Sequence, residues 1–212
     1  MTRLVDHLTR APSLRLHREP PDRIDAIVIV GSTCSGKTTL AEEIRRSALP
    51  GVEVPRRFVT RRPRADDNPD EAGYASADQL DADIAAGAIG VHWSRMIAGR
   101  TVRYAFAATS RGMLPVYSAN TAICIAGNVR PPDALEHACL VGVFAPDPVR
   151  AARLRARSPE LWRDHPDEAH ARLAECADTM LSHVHVVIEN HGPLEAAAKH
   201  DIVALVRAVR SS

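Results

Sequence analysis

Lysine is almost absent from this chain. Of 27 basic residues only Lys37 and Lys199 are lysines, and the rest are arginine. Arginine presents a planar fork that matches phosphate and carboxylate, so clusters of it point to anionic ligands. An Ala- and Arg-rich codon bias gives the same enrichment, so no single arginine is functional on this ground alone. Excess charge is also missing: 27 basic residues face 26 acids, for a net charge of +1. That balance excludes a global field for nucleic acid or a membrane surface. No apolar run approaches the length of a membrane span, and the N-terminus has no continuous apolar stretch of signal-peptide length. The four cysteines, Cys34, Cys124, Cys139 and Cys176, form no CxxC pair and no metal-ligand spacing. A reducing cytoplasm is the expected compartment. His183, His185 and His191 cluster near the end of the chain, but no fourth ligand with zinc-like spacing joins them.

What remains is a chain of 212 residues, enough for one domain with a sizeable core. Residues 1–23 mix charge, proline and scattered leucines and read as a loosely held extension with at most one short helix. From residue 24 strands and helices alternate. "IDAIVIV" (24–30) is a β-branched run suited to a strand buried on both faces. "TTLAEEIRRSAL" is a helix, and "VEVPRRFVT" (52–60) a second strand that Pro55 marks as edge or broken. A polar loop covers 61–74. "SADQLDADIAAG" (76–87) is a helix with Ser76 as cap and Gly87 as stop. "AIGVHW" and "TVRYAFA" are strands around Gly99. "TAICIAG" (121–127), "CLVGVFA" (139–145) and "VHVVIEN" (184–190) are further strands, with "ALEHA" a short helix. Helices are expected from Pro148, over 166–183 and at the C-terminus. This order predicts an α/β fold with a mainly parallel central sheet flanked by helices.

One motif carries specific chemistry. Gly31-x4-Gly36-Lys37-Thr38 follows a buried strand and opens a helix, as a phosphate-binding loop does. Glycines let backbone N–H groups turn inward, Lys37 reaches the β- and γ-phosphates, and the Thr38 hydroxyl ligates magnesium. The expected nucleotide site is Gly31, Ser32, Thr33, Cys34, Ser35, Gly36, Lys37, Thr38 and Thr39, with ATP and Mg2+ as cofactors. Cys34 reads more simply as a small loop residue than as a redox thiol. Phosphoryl transfer needs positioning and cations. Two arginine groups could supply them: Arg57, Arg61, Arg62 and Arg64, and then Arg153, Arg155, Arg157 and Arg172.

These segments together resemble guanylate kinases. "VTRRPR" (59–64) followed by "GY" (73–74) is similar to their acceptor-binding segment. "RLRAR" (153–157) and "ARLA" (171–174) resemble their lid, and "IENHGPLEAA" (188–197) their late strand and Asn turn. The resemblance implies a P-loop kinase domain over 24–212, with an acceptor-binding insertion at about 55–106 and a lid at about 153–172. One feature is missing: segment 84–106 contains no carboxylate to read a guanine edge. In that stretch the chain is more similar to ribose 1,5-bisphosphate phosphokinases. Trp93 stands six residues past Gly87, followed by Gly99 and Arg103-Tyr104, and Gly127-Asn128-Val129-Arg130 resembles their Asn-Gly-Ser-Arg.

The resemblance assigns roles residue by residue. Arg157 and Arg172 join Lys37 as catalytic cations. Arg57, Arg61, Arg64 and Tyr74 grip the acceptor's phosphate. Trp93, Arg103, Tyr104 and Arg130 shape its pocket, with Trp93 open between pocket and core. Asn190 lies near the nucleotide base. The expected reaction is ATP-dependent phosphorylation of ribose 1,5-bisphosphate to 5-phosphoribosyl 1-diphosphate. A guanylate or other nucleoside monophosphate kinase, and a non-catalytic nucleotide-binding scaffold, are the alternatives. The expected partner is a phosphorylated small molecule, without nucleic acid or membrane, and a homodimer stays open.

Overall fold

A computed structural model describes residues 11–63, 72–97, 99–120, 123, 129–131, 133–174 and 182–211. The chain builds two sheets. The larger is ordered β1 (Leu14–Leu16), β10 (Val186–Glu189), β9 (Ala138–Phe144), β2 (Ala26–Val30), β8 (Leu114–Ser118), β3 (Val52–Glu53). All its pairings are parallel except that of β1, which runs antiparallel to β10 with Leu14 opposite Ile188. The smaller is ordered β5 (Ala72–Tyr74), β4 (Arg57–Val59), β7 (Arg100–Ala107), β6 (Ile89–Ile97).

β2 explains the layering. Every residue in it is buried, and its alternate side chains serve two cores. Ile27 and Ile29 pack with Leu40 and Ile44 of α1 (Lys37–Arg46) and with Ile202, Leu205 and Val206 of α6 (Leu194–Arg210). Ala26, Val28 and Val30 join a second core on the opposite side, with Trp93, Phe106 and Tyr117. That second core joins the smaller sheet to the larger. Helix α2 (Ala77–Ala85) begins where Ser76 Oγ accepts from the Gln79 N–H at 3.0 Å, and Gly87, at φ 71°, turns the chain out of it.

Several expectations need correction. "VEVPRRFVT" is two strands in two different sheets, and Pro55 stands between them, where it cannot donate to a ladder. The polar loop gives way to a strand at Ala72–Tyr74. The proposed strand at 121–127 falls outside the described residues except for Ile123, which donates to Asn120 O in a turn. Leu114–Ser118, for which no strand was expected, is a strand beside β2, and its pairing with β2 begins at Val116, just past Pro115. "ALEHA" forms successive β-turns instead of a helix, with Ala134 N donating to Pro131 O, Glu136 N to Asp133 O and Ala138 N to Leu135 O. The long helix expected over 166–183 is α5 (Pro166–Leu173), with Ser182 and His183 in a turn and 175–181 outside the described residues. α5 follows α3 (Asp147–Arg157) and the short α4 (Pro159–Asp164). Finally, residues 14–16 are not loosely held: they form the edge strand β1. Ser13 anchors it by donating from N and Oγ to the buried Asp201 carboxylate, at 3.0 and 2.7 Å.

Candidate active site

The loop between β2 and α1 leaves the sheet at the carboxyl end of its central strand, between β9 and β8, the position where open α/β sheets bind ligands. Its glycines are required by contact as well as by turn. A Cβ on Gly36 would stand 2.0 Å from Asn190 Nδ2, and one on Gly31 would stand 2.6 Å from Val143 O. Gly36 also has φ 103° and Cys34 φ 61°, values that side-chain-bearing residues rarely adopt. α1 carries no acid in its first turn and two arginines in its last, so its positive end stays available to an anion. Lys37 Nζ donates to Ser32 O at 2.8 Å, which folds the ammonium back over the loop. Ser35 Oγ is buried with no hydrogen-bond partner among the described residues. A cradle that a Cβ would fill, an orphaned buried hydroxyl and a lysine over the loop together fit the phosphates of a nucleotide.

The loop is braced from behind. Asn190 Nδ2 donates to Ser35 O at 2.7 Å. Arg153 donates to Cys34 O and Ser35 O at 3.3 and 3.2 Å, to Asn190 O at 2.9 Å, and pairs with Glu195 at 3.1 Å. Arg150 reaches Thr33 O at 3.4 Å. These donors hold the loop's carbonyls on its outer side. Asn190 is 3 % exposed, so its side chain is a buried brace of the loop. Arg150 was missed by sequence reading; only its position on the core-facing stripe of α3, four residues before the buried Leu154, could have drawn attention to it.

Beyond Thr38 a cleft of about 230 Å³ runs along α1, lined by Thr38, Thr39, Glu42, Arg57, Phe106 and Ser118 among others. Arg57 Nη1 donates across it to Ser118 O at 3.4 Å. The first turn of α1, directly after the phosphate loop, and the acceptor candidate Arg57 thus line one space.

Strand parity sorts the other acceptor candidates. Arg57 and Val59 of β4 lie opposite Phe106 and Tyr104 of β7, and Val59 lies opposite Tyr74 of β5. Residues at these registers share one face. Arg61 continues that side, its guanidinium 6.0 Å from the Tyr74 ring centre. Trp93 is on the same face, stacked on Tyr104 with ring centres 5.3 Å apart, but it is 1 % exposed and donates to Asn120 Oδ1 at 3.3 Å. It is therefore core, and Tyr104 is the ring it supports. Arg103 belongs to the opposite face. Its guanidinium pairs with Asp81 of α2 at 2.7 Å, behind the sheet. Its expected place in the pocket beside Tyr104 is corrected by the alternation of neighbouring strand residues. Asp81 is also a carboxylate, three residues before segment 84–106 begins. Arg130 is bound through its backbone to His92 at the edge strand β6, His92 N donating to Arg130 O at 2.9 Å and Arg130 N to His92 O at 2.8 Å. Burial, then the Arg103 and Arg130 charges, lower the His92 pKa below the usual imidazole value. Arg64, Gly127 and Asn128 fall outside the described residues.

The lid candidates lie on α3 and α5. Arg157 is exposed in the last turn of α3. Arg172, in the last turn of α5, pairs with Glu168 at 2.8 Å. Helices α3 to α5 share a small core of Leu154, Leu161 and Ala169, against which the loop residue Cys34 packs. Among the described residues no group of three His, Cys, Asp or Glu could hold a metal ion by itself. Magnesium would be held by the Thr38 hydroxyl together with phosphate oxygens and water, the kind of site this ion favours.

No family model and no curated protein matches the sequence. In fold the chain is similar to a solved guanylate kinase from Anaplasma phagocytophilum, with a TM-score of 0.50, 14% sequence identity, and 90% of this chain matched to 88% of that one. The fold is that of a guanylate-kinase-like α/β P-loop protein.

Proposed function

We propose that this chain is an ATP- and magnesium-dependent phosphotransferase whose acceptor is a phosphorylated small molecule. The observation that carries the reading is the shared cleft: Thr38 and Thr39, in the first turn of α1 just past the phosphate loop, and the acceptor candidate Arg57 line one space. A nucleotide's terminal phosphate over Lys37 would meet there an acceptor phosphate held by Arg57, Arg61 and Tyr74. An acceptor oxygen then bonds to the γ-phosphorus, the bond from that phosphorus to the β–γ bridging oxygen breaks, and ADP leaves. The acceptor is already an oxyanion, so no side-chain base is required. Magnesium, when bound, neutralises charge on the donor phosphates. Lys37 supplies a fixed cation, and Arg157 and Arg172 add charge when the lid closes.

Two acceptors are supported by different observations. The Gly87–Trp93–Arg103-Tyr104 segment favours ribose 1,5-bisphosphate, which would give 5-phosphoribosyl 1-diphosphate. The similarity in fold to a solved guanylate kinase favours GMP. We rank the sugar first because segment 84–106 has no acid of its own. A coupled assay with ATP and magnesium should compare GMP, ribose 5-phosphate and ribose 1,5-bisphosphate. Turnover of the bisphosphate is the expected result. Turnover of GMP alone reverses the ranking, and turnover of none of the three rejects both acceptors.

A further inference from the structure

Arg150 is a buried charge that the proposed mechanism does not use. It is 4 % exposed and sits on the core-facing stripe of α3, where Leu154 follows one turn later. Burying a guanidinium costs several kcal/mol before its partners offset it, and a well-packed apolar side chain commonly serves a core position as well or better. Its carboxylate partner, Asp147 at 2.7 Å, is 86% exposed in its side chain and offers only a screened charge. Packing alone therefore does not account for this residue.

Its other two bonds leave its own helix in different directions. Nη1 donates to Thr33 O of the phosphate loop at 3.4 Å, and Nη2 donates to Leu173 O at 2.9 Å. Leu173 is the last residue of α5, and the residue before it is Arg172. One planar fork thus spans two segments far apart in sequence, with Asp147 fixing its orientation. A lysine could not reproduce this, because an ammonium is a point donor on a flexible stem. The Cys34 side chain packs against the same three lid helices and makes a second contact along the same seam.

We infer that Arg150 is a positioning residue that fixes the C-terminal end of α5, and with it Arg172, against the phosphate loop. The loop and the end of α5 then order together, and the charge that Arg172 brings is set by a bond made one residue away. This inference rests on the kinase reading for its catalytic consequence, but its structural content does not.

The test uses the full chain with Arg150→Met, which keeps length and packing, and Arg150→Lys. In the coupled assay Arg150→Met should lower kcat at least about tenfold while KM for ATP stays within about threefold, the pattern of an interaction felt mainly at transfer. In an Arg172→Ala background the same substitution should cost less than about twofold, because the two residues act as a unit. Effects that multiply independently overturn the inference. Full restoration by Arg150→Lys also overturns it, since one donor group would then suffice. Hydrogen exchange supplies the readout that does not depend on activity. Amides of 31–37 and of 167–173 should both exchange faster in Arg150→Met, or in Arg150→Lys if the methionine variant does not fold, with α2 unchanged. Faster exchange confined to α3 overturns the inference. If the wild type phosphorylates none of the acceptors, the kinase reading fails and the exchange data still decide the role of Arg150.

Discussion

Replacing Gly36 by alanine should test the construction of the phosphate loop more directly than any charge substitution. The new Cβ would stand 2.0 Å from Asn190 Nδ2, inside any contact distance. Asn190 is 3 % exposed and its amide donates to Ser35 O at 2.7 Å, so displacing it breaks a buried hydrogen bond. Leaving that amide unsatisfied costs about 1–3 kcal/mol. The backbone adds its own penalty, because Gly36 has φ 103° and an alanine there is strained; such strain is of order 1–3 kcal/mol. Together these give a loss of about 2–6 kcal/mol for Gly36→Ala. Asn190→Ala alone should cost about 1–3 kcal/mol, through the lost bond to Ser35 O. The double variant decides the matter. If the Gly36→Ala clash acts by expelling Asn190, removing the Asn190 side chain in advance makes the second loss redundant. Urea unfolding of the four proteins should then find the double variant close to Gly36→Ala and short of the sum by about 1–3 kcal/mol. A double variant whose loss equals the sum of the single losses would refute the proposed contact, and one as stable as Asn190→Ala alone would refute the backbone strain.

Two further outcomes are expected. Lys37→Ala should fold normally, since Lys37 belongs to none of the buried cores, and should lose on the order of a hundredfold or more in kcat; near-normal turnover in a folded variant would remove Lys37 from the donor site. His185 should make the fold acid-sensitive. Its Nδ1 accepts from Leu140 N at 2.9 Å, and burial, then the Arg18 charge, lower its pKa. A histidine held neutral in this way contributes stability that is complete above its unfolded pKa of about 6.5 and is lost as pH falls toward its folded value. Tm measured from pH 8 to pH 5 should fall more steeply below about pH 6.5 in the wild type than in His185→Gln, and parallel curves would reject the linkage.

The phosphate loop was legible in sequence because everything it needs is local: a buried β-branched strand, two glycines at fixed spacing, and a helix start. The same holds for α2, whose Ser76 cap and Gly87 stop stand within twelve residues of each other. β8 was not legible. Pro115 argues against a strand, and what makes Leu114–Ser118 one is its place between β2 and β3, which no local signal carries. The edge strand β1 was missed for the same reason, since three residues gain their identity from β10 and from the Asp201 anchor 188 residues away.

The acceptor residues show a subtler limit. Arg103 and Tyr104 are adjacent, and a motif treats them as one unit. Once β4 fixes the register of β7, adjacent residues must point to opposite sides of the sheet. Tyr104 shares its side with Arg57 and Tyr74, so Arg103 cannot also do so while the strand stays regular, and its pairing with Asp81 shows where it goes instead. Arg57 and Tyr74 share one face through the β4–β5 register, and Arg61 reaches the Tyr74 ring on that side. An acceptor pocket here is therefore built from alternate residues of three strands, and a substitution at Arg103 should disturb it only through α2 and the sheet, as a change in stability, while one at Arg57 acts on the cleft itself.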